Sequence, residues 1–234
     1  MINLYHRSED KEYLDDPTIG IKLLRETYRE LSIINIFTLG YWPTMSAVGY
    51  FLKRYGRNSV IKILDIGCGD GEILRRIEVE GRKRGFSLEL TGIDMNPEAI
   101  AAAVQLSPPQ INFICGDILV HPGDNQYDVI ISSLTMHHLT SPEIVKLLSW
   151  MTTHAKIGWS ISDLNRSAIA YYFAKLLAQL AGLNHVICHD APLSVARSFR
   201  RKDWLDILSL AQLDLSSTTI SWYPNFRYGI RYEK

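Results

Sequence analysis

Residues 62–74 read KILDIGCGDGEIL, with Gly67, Gly69 and Gly71 at alternate positions, Cys68 and Asp70 between them, and Asp65 two places ahead. Glycines at this spacing let the chain turn tightly and let its backbone approach a ligand without Cβ atoms in the way. The acids narrow the choice of ligand. A dinucleotide fingerprint places its third glycine one position later, and Glu72 stands there. Asp65, at the expected end of a strand, and Asp70, inside the loop, would both face a pyrophosphate and repel it. A ligand with cationic groups and no phosphate removes that conflict.

Two further stretches gather groups that handle protons. LTMHHLT, residues 134–140, contains His137 and His138. An imidazole, with an unperturbed pKa of about 6.5, can take a proton from a phenol or a carboxylic acid near neutrality. Adjacent histidines also commonly just pack and hydrogen-bond, so pocket lining and base catalysis both stay open for His138, with His137 as the second candidate. The run HVICHDAPLSVARSFRRKDW, residues 185–204, places His189, Asp190, Ser194 and Arg197 in an apolar neighbourhood. His189 is the third candidate catalytic histidine. With Asp190 it suits orienting a substrate hydroxyl, and Arg197 suits binding a carboxylate through its planar fork. A turn capped by Asp190, with Arg197 paired to a surface acid, is the structural alternative.

These groups need elements to position them. Apolar residues at helical spacing predict helices over about 18–38 and 44–55, separated by FTLGYWPT, where Gly40, Tyr41 and Trp42 precede Pro43. Gly56 supplies a stop to the second helix. From Val60 onward, short apolar runs (VIKILDI, LELTGID, INFICGD, YDVIISS, GWSISDL) alternate with helical stretches. Strands with continuous apolar character, separated by helices, indicate a parallel sheet covered on both faces, a doubly wound α/β layout. After the fifth strand comes an inserted helix, SAIAYYFAKLLAQLAG, with Ile169, Tyr172, Phe173, Leu176, Leu177 and Leu180 on one face. A further helix follows at about 200–211, and two antiparallel strands around YPN end the sequence.

The stretches ILDIGCGDGEIL, LTGIDMNPEAI, INFICGDI and YDVIISSLTMHHLT resemble, in order and spacing, the class I S-adenosylmethionine-dependent methyltransferases over about Val60 to His154. S-adenosylmethionine carries a sulfonium, an ammonium, ribose hydroxyls and a flat base, and no phosphate. The resemblance implies a Rossmann-like seven-stranded sheet with its last strand antiparallel, residues 1–57 closing the site, and a methyltransferase domain over 58–234 with a helical cap at about 164–198. It implies cofactor contacts from the glycine loop; from Asp94 to the ribose hydroxyls, with Met95 and Asn96 beside it; from Gly116, Asp117 and Ile118 around the adenine; and from Ser132 and Ser133 at the methionine part. Asp94 and Asp117 are also residue types that cap helices and form turns. Tyr41, Tyr172, His138, His189, Asp190 and Arg197 are the candidate substrate contacts. The run after the inserted helix resembles bacterial small-molecule methyltransferases of polyketide and phenolic-lipid pathways. The reaction expected is O-methylation of a small aromatic or lipid-like acceptor, with S-adenosylhomocysteine as product and the inserted helix as a lid. A catalytically silent cofactor-binding subunit and a nicotinamide-dependent oxidoreductase are the rival readings.

Composition sets limits on partners. The chain has 234 residues, 47% of them hydrophobic, with 25 Lys plus Arg against 25 Asp plus Glu. That balance offers no positive excess for a nucleic-acid backbone. Three scattered cysteines fit neither a disulfide framework nor a zinc spacing, so no metal is expected and the thiols read as reduced in a cytoplasmic protein. No apolar run reaches the length of a membrane span. A monomer or a homodimer is expected.

Overall fold

The computed structural model describes residues 3–16, 18–54, 60–120 and 126–234. Gly56 and the expected boundary at 57/58 lie outside the described residues. Seven strands form one sheet: β1 (Val60–Ile66), β2 (Ser87–Asp94), β3 (Ile111–Cys115), β4 (Tyr127–Ser133), β5 (Ala155–Leu164), β6 (Thr218–Tyr223) and β7 (Arg227–Glu233). Their order is β3-β2-β1-β4-β5-β7-β6, and β7 runs antiparallel to both neighbours. The chain builds outward from β1 to β3, then crosses back to start β4 on the other side of β1. Beyond the carboxyl ends of β1 and β4 this reversal opens a crevice, the usual place for a ligand in such sheets.

Two apolar cores explain why the strands read as continuous hydrophobic runs. Successive side chains of a strand point to opposite faces. Ile61 and Ile63 of β1 therefore pack under Val48 and Phe51 of α2 (Trp42–Leu52), Leu74 and Ile77 of α3 (Glu72–Lys83), and Ile100 of α4 (Pro97–Leu106). Leu64 and Ile66 pack on the other face with Ile144 and Leu148 of α5 (Ser141–His154) and Trp204 and Ile207 of α8 (Arg201–Leu210). With both faces covered, the remaining helices go elsewhere. α1 (Ile21–Phe37), α6 (Ala168–Leu180) and α7 (His185–Arg197) gather over the carboxyl ends of the strands.

Three sequence expectations change here. The 185–197 stretch is a helix, started by Asn184, whose side chain accepts from the Ile187 N–H, and it carries Pro192 inside it. The apolar face of α6 divides: Phe173 and Leu177 line the cavity with Ala170 and Ala178, while Ile169, Tyr172, Leu176 and Leu180 are exposed and do not line it. Tyr172 is therefore outside the cavity, on the outer side of the cap. Trp42, held away from helix by its following proline in the sequence reading, is the first residue of α2, because proline is well suited to a helix's first turn.

Candidate active site

One cavity of about 870 Å³ occupies the crevice. Its floor is the glycine loop. Gly67, Gly69 and Gly71 take φ of +71°, +54° and +78°, the left-handed region that disfavours side chains. The Gly67 and Cys68 N–H groups both donate to the Ile93 carbonyl, which hooks the loop onto β2. At Gly67 a Cβ would sit 2.3 Å from Thr135 Oγ1, and at Gly71 it would sit 2.7 Å from the Phe113 ring. Gly71 therefore serves loop packing and does not line the cavity, whereas Gly67, Cys68, Gly69 and Asp70 do.

Asp94 ends β2 at the cavity wall. Its Oδ2 accepts the Gly69 N–H at 2.8 Å and its Oδ1 accepts the Asn96 N–H at 2.9 Å, so it fixes the loop while each oxygen keeps a lone pair for a ligand. Asn96 borders the cavity, but its side chain caps α4 through the Glu98 and Ala99 N–H groups. Met95, Gly116, Asp117, Ile118 and Ser133 also line the cavity, and Asp117 accepts the Leu119 N–H at 2.8 Å. Nothing lies within 4 Å of where a Cβ on Gly116 would be. Besides Gly71, two expected cofactor contacts lie outside the cavity. Ser132 is buried and donates to the Ile66 carbonyl. Asp65 is buried beneath the loop with neither oxygen hydrogen-bonded among the described residues, and burial, aided by Asp94, pushes its pKa well up. The repulsion of a pyrophosphate thus falls mainly to Asp94, because Asp70 pairs with Arg75 at 3.3 Å and burial raises its pKa.

The lining is rich in carboxyl groups, of which Asp15, Asp70 and Glu72 pair with arginines that do not themselves line the cavity. Among the described residues it includes eight carboxyl side chains, Glu12, Asp15, Asp70, Glu72, Asp94, Glu98, Asp117 and Asp190, and one guanidinium, Arg227. Arg227 is buried and donates to Asn35 Oδ1 at 2.8 Å; burial lowers its pKa to about 10. Tyr28 of α1 packs over the Gly69 position, and its phenol pKa is raised by burial and by the nearby Asp94 and Asp70. Such a cavity fits a cationic, phosphate-free ligand with a diol for Asp94, and its glycine floor lets that ligand approach the backbone. Those are the features of S-adenosylmethionine.

At the opposite corner the N-terminal segment joins the site. His137 and His138 lie on a short 3-10 turn (Met136–His138) after β4. His137 Nδ1 is 2.7 Å from Asp163 Oδ1, and His138 Nδ1 is 2.7 Å from Asp15 Oδ1. Burial alone would raise the pKa of each of these acids. Their bonds to histidine, and for Asp15 also to Arg197, more than offset it and hold both low. Each carboxylate accepts, so Nδ1 carries the hydrogen and Nε2 is the outward atom. Glu12 faces those atoms. It is 4% exposed, and burial, opposed by His138 and Arg197, lifts its pKa to about 7.

The other polar candidates hold the structure together. Asp190 accepts the Tyr13 and Leu14 N–H groups at 2.8 and 3.0 Å, which docks the N-terminal segment on α7. Arg197 pairs with Asp15 at 2.7 Å and donates to the His137 and His138 carbonyls. His189 stacks on Tyr13 at 3.8 Å. Neither Arg197 nor His189 lines the cavity, while Asp190 and Tyr41 do. The Tyr41 hydroxyl bonds Ser32, and Arg76 lies over its ring. Glu12, Asp15 and Tyr28 were not among the sequence candidates. The first two stand in a charged N-terminal run with no motif, and Tyr28 reads as an ordinary member of a helix face.

Residues 63–158 match the family described as "Methyltransferase domain". Among curated proteins, the chain is 31% identical over 170 residues to a malonyl-[acyl-carrier protein] O-methyltransferase of Anoxybacillus flavithermus, covering 70% of this chain and 61% of that protein. It is 28% identical over 132 residues to a ubiquinone biosynthesis O-methyltransferase of Rickettsia prowazekii, covering 54% and 49%. The matches thus span about half to three-fifths of these relatives' lengths. Among solved structures, the plantazolicin methyltransferase BpumL in complex with SAH superposes with a TM-score of 0.65 at 19% identity, covering 88% of this chain and 90% of that one. The sheet has the strand order and fold of the solved methyltransferase, and residues 63–158 carry the sequence pattern of a methyltransferase domain. Among the described residues, no helix is long and apolar enough to cross a membrane.

Proposed function

We propose that the protein transfers a methyl group from S-adenosylmethionine to an oxygen atom of a small aromatic or lipid-like acceptor. The observation that carries this reading is one cavity whose lining joins the glycine loop and its strand-end carboxylates to a set of apolar side chains. Gly67, Gly69, Asp94 and Asp117 hold the cofactor, which supplies a methyl group on a sulfonium. Leu31 and Ile34 of α1, Phe173 and Leu177 of α6, Ile187 of α7 and Phe226 wall the other end, which suits an apolar acceptor. Both curated relatives described above are named O-methyltransferases, which favours oxygen over carbon or nitrogen.

Methyl transfer is an in-line displacement, so aligning the acceptor oxygen with the methyl–sulfur axis supplies much of the acceleration. The walls of α1, α6 and α7 do that aligning and keep water out. The corner formed by Glu12, His137 and His138 is where the acceptor's hydroxyl proton leaves. In this reading the N-terminal residues and α1 close the site, and residues 164–198 cap it.

Incubation of the chain with methyl-labelled S-adenosylmethionine and a panel of phenols and carboxylic acids tests the reading. Label in an ether or ester product supports it. Cofactor binding with no product across the panel would favour a silent cofactor-binding subunit.

A further inference from the structure

The corner beside the acceptor wall has a feature that proton transfer alone does not explain. Both imidazoles are oriented by a carboxylate on Nδ1, His137 by Asp163 and His138 by Asp15. Both turn Nε2 toward the same carboxylate, with His137 Nε2 at 3.7 Å from Glu12 Oε1 and His138 Nε2 at 4.0 Å from Glu12 Oε2. These separations exceed a hydrogen bond. In the neutral tautomer two nitrogen lone pairs and a carboxylate therefore point at one small space, an arrangement that a bound cation relieves. Glu12 Oε1 is buried with no hydrogen-bond partner among the described residues.

The nearby cations do not fill that point. Arg197 is spread over Asp15 and the carbonyls of His137 and His138, with Nη1 3.7 Å from Glu12 Oε1. Arg7 is bound to the carbonyls of His137, Leu139 and Arg197. The three prospective ligand atoms lie within 4.8 Å of one another. Ligands about 2.1 Å from one ion at a tetrahedral angle are about 3.4 Å apart, so side-chain shifts on the order of an ångström would close the set.

We infer that Glu12, His137 and His138 bind a divalent first-row transition ion of the zinc type, with an open position toward the cavity. Two histidines and one carboxylate form a ligand set that such ions take, and carboxylates behind metal-bound histidines are the usual outer partners. All three residues line the cavity, so the open position faces the acceptor. The ion's role there is that of a Lewis acid: it draws in an acceptor hydroxyl and lowers its pKa, and the proton passes to water. This role rests on the methyltransferase reading, whereas the ion site does not. It favours acceptors whose oxygen can ligate a metal, such as phenols and enols.

The test uses the full chain, stripped with a chelator and titrated with Co²⁺ by visible absorption, then with Zn²⁺ in competition. One equivalent of Co²⁺ with ligand-field bands, displaced by Zn²⁺, is expected, together with a rise in melting temperature on adding Zn²⁺. Glu12→Gln and His138→Gln should each weaken Co²⁺ binding by roughly a hundredfold or more, and Asp15→Asn by about ten to a hundredfold. No stoichiometric Co²⁺ uptake by the wild-type chain overturns the inference and leaves the corner to metal-free proton transfer. Uptake unchanged in both ligand variants also overturns it. Calorimetry with S-adenosylhomocysteine on the same stripped sample separates the two proposals: cofactor binding without metal uptake sinks this inference alone, and metal uptake without cofactor binding sinks the proposed reaction alone.

Discussion

Gly69 and Asp94, which meet at the glycine-loop end of the cavity, are 25 residues apart in sequence, whereas Asp15 and Arg197, which meet beside the paired histidines, are 182 apart. The first end is made by consecutive β–α units, each strand delivering its side chain to the cavity at its own carboxyl edge. The second is assembled by docking the N-terminal segment across α7 and the turn after β4. One end is therefore fixed by the sheet itself, and the other depends on a segment held by a few long-range bonds. Binding and chemistry should accordingly be separable by mutation.

His138→Ala should give the largest effect. Turnover of a phenolic acceptor should fall by about 10²–10⁴-fold, the range for loss of assisted proton removal, with a much smaller change in cofactor affinity. Equal loss in both would erase the distinction between the two ends. Asp94→Ala should do the reverse, weakening S-adenosylhomocysteine binding by roughly ten to a hundredfold through loss of charge-assisted hydrogen bonds. Calorimetry that gives an unchanged dissociation constant would mean the ribose is misplaced.

The same contrast explains what the sequence revealed. The loop at 67–71, Asp94 and Asp117 were legible because their positions follow from short-range order: strand, turn, helix, repeated. Glu12 and Asp15 were not, because nothing local marks a charged N-terminal run as part of a site 120 to 180 residues away. Arg197 and His189 were legible as a polar cluster, but their targets were not. Composition alone cannot tell a substrate-binding guanidinium from one that clamps Asp15. Asp65 shows the limit within a motif: its place in the strand is readable, but the alternation of β1 turns it under the loop and away from the cavity. Tyr172 lies off the cavity for a related reason: an apolar helix face has width, and only its Phe173–Leu177 side meets the cavity.

Smaller effects sharpen the comparison. Asp190→Ala removes the acceptor for two backbone N–H groups and should destabilise the fold by about 1–3 kcal/mol. Its more telling result is faster proteolytic cleavage before residue 20, with S-adenosylhomocysteine affinity retained; cleavage at the wild-type rate would show that the segment is held by other means. Tyr172→Ala, on the outer face of α6, should change the melting free energy by no more than about 0.5 kcal/mol and leave turnover as it was. A clear loss of turnover there would put the acceptor on the other side of the cap.

Underlying all of this is the claim that an acid-lined, glycine-floored cavity selects a cationic, phosphate-free adenosyl ligand. Titration calorimetry of the full chain with S-adenosylhomocysteine and, separately, with NADH tests it most directly. The account predicts one-site binding of S-adenosylhomocysteine, weakened in Asp94→Ala, and no heat from NADH. Saturable NADH binding, or no binding of S-adenosylhomocysteine at all, would contradict it.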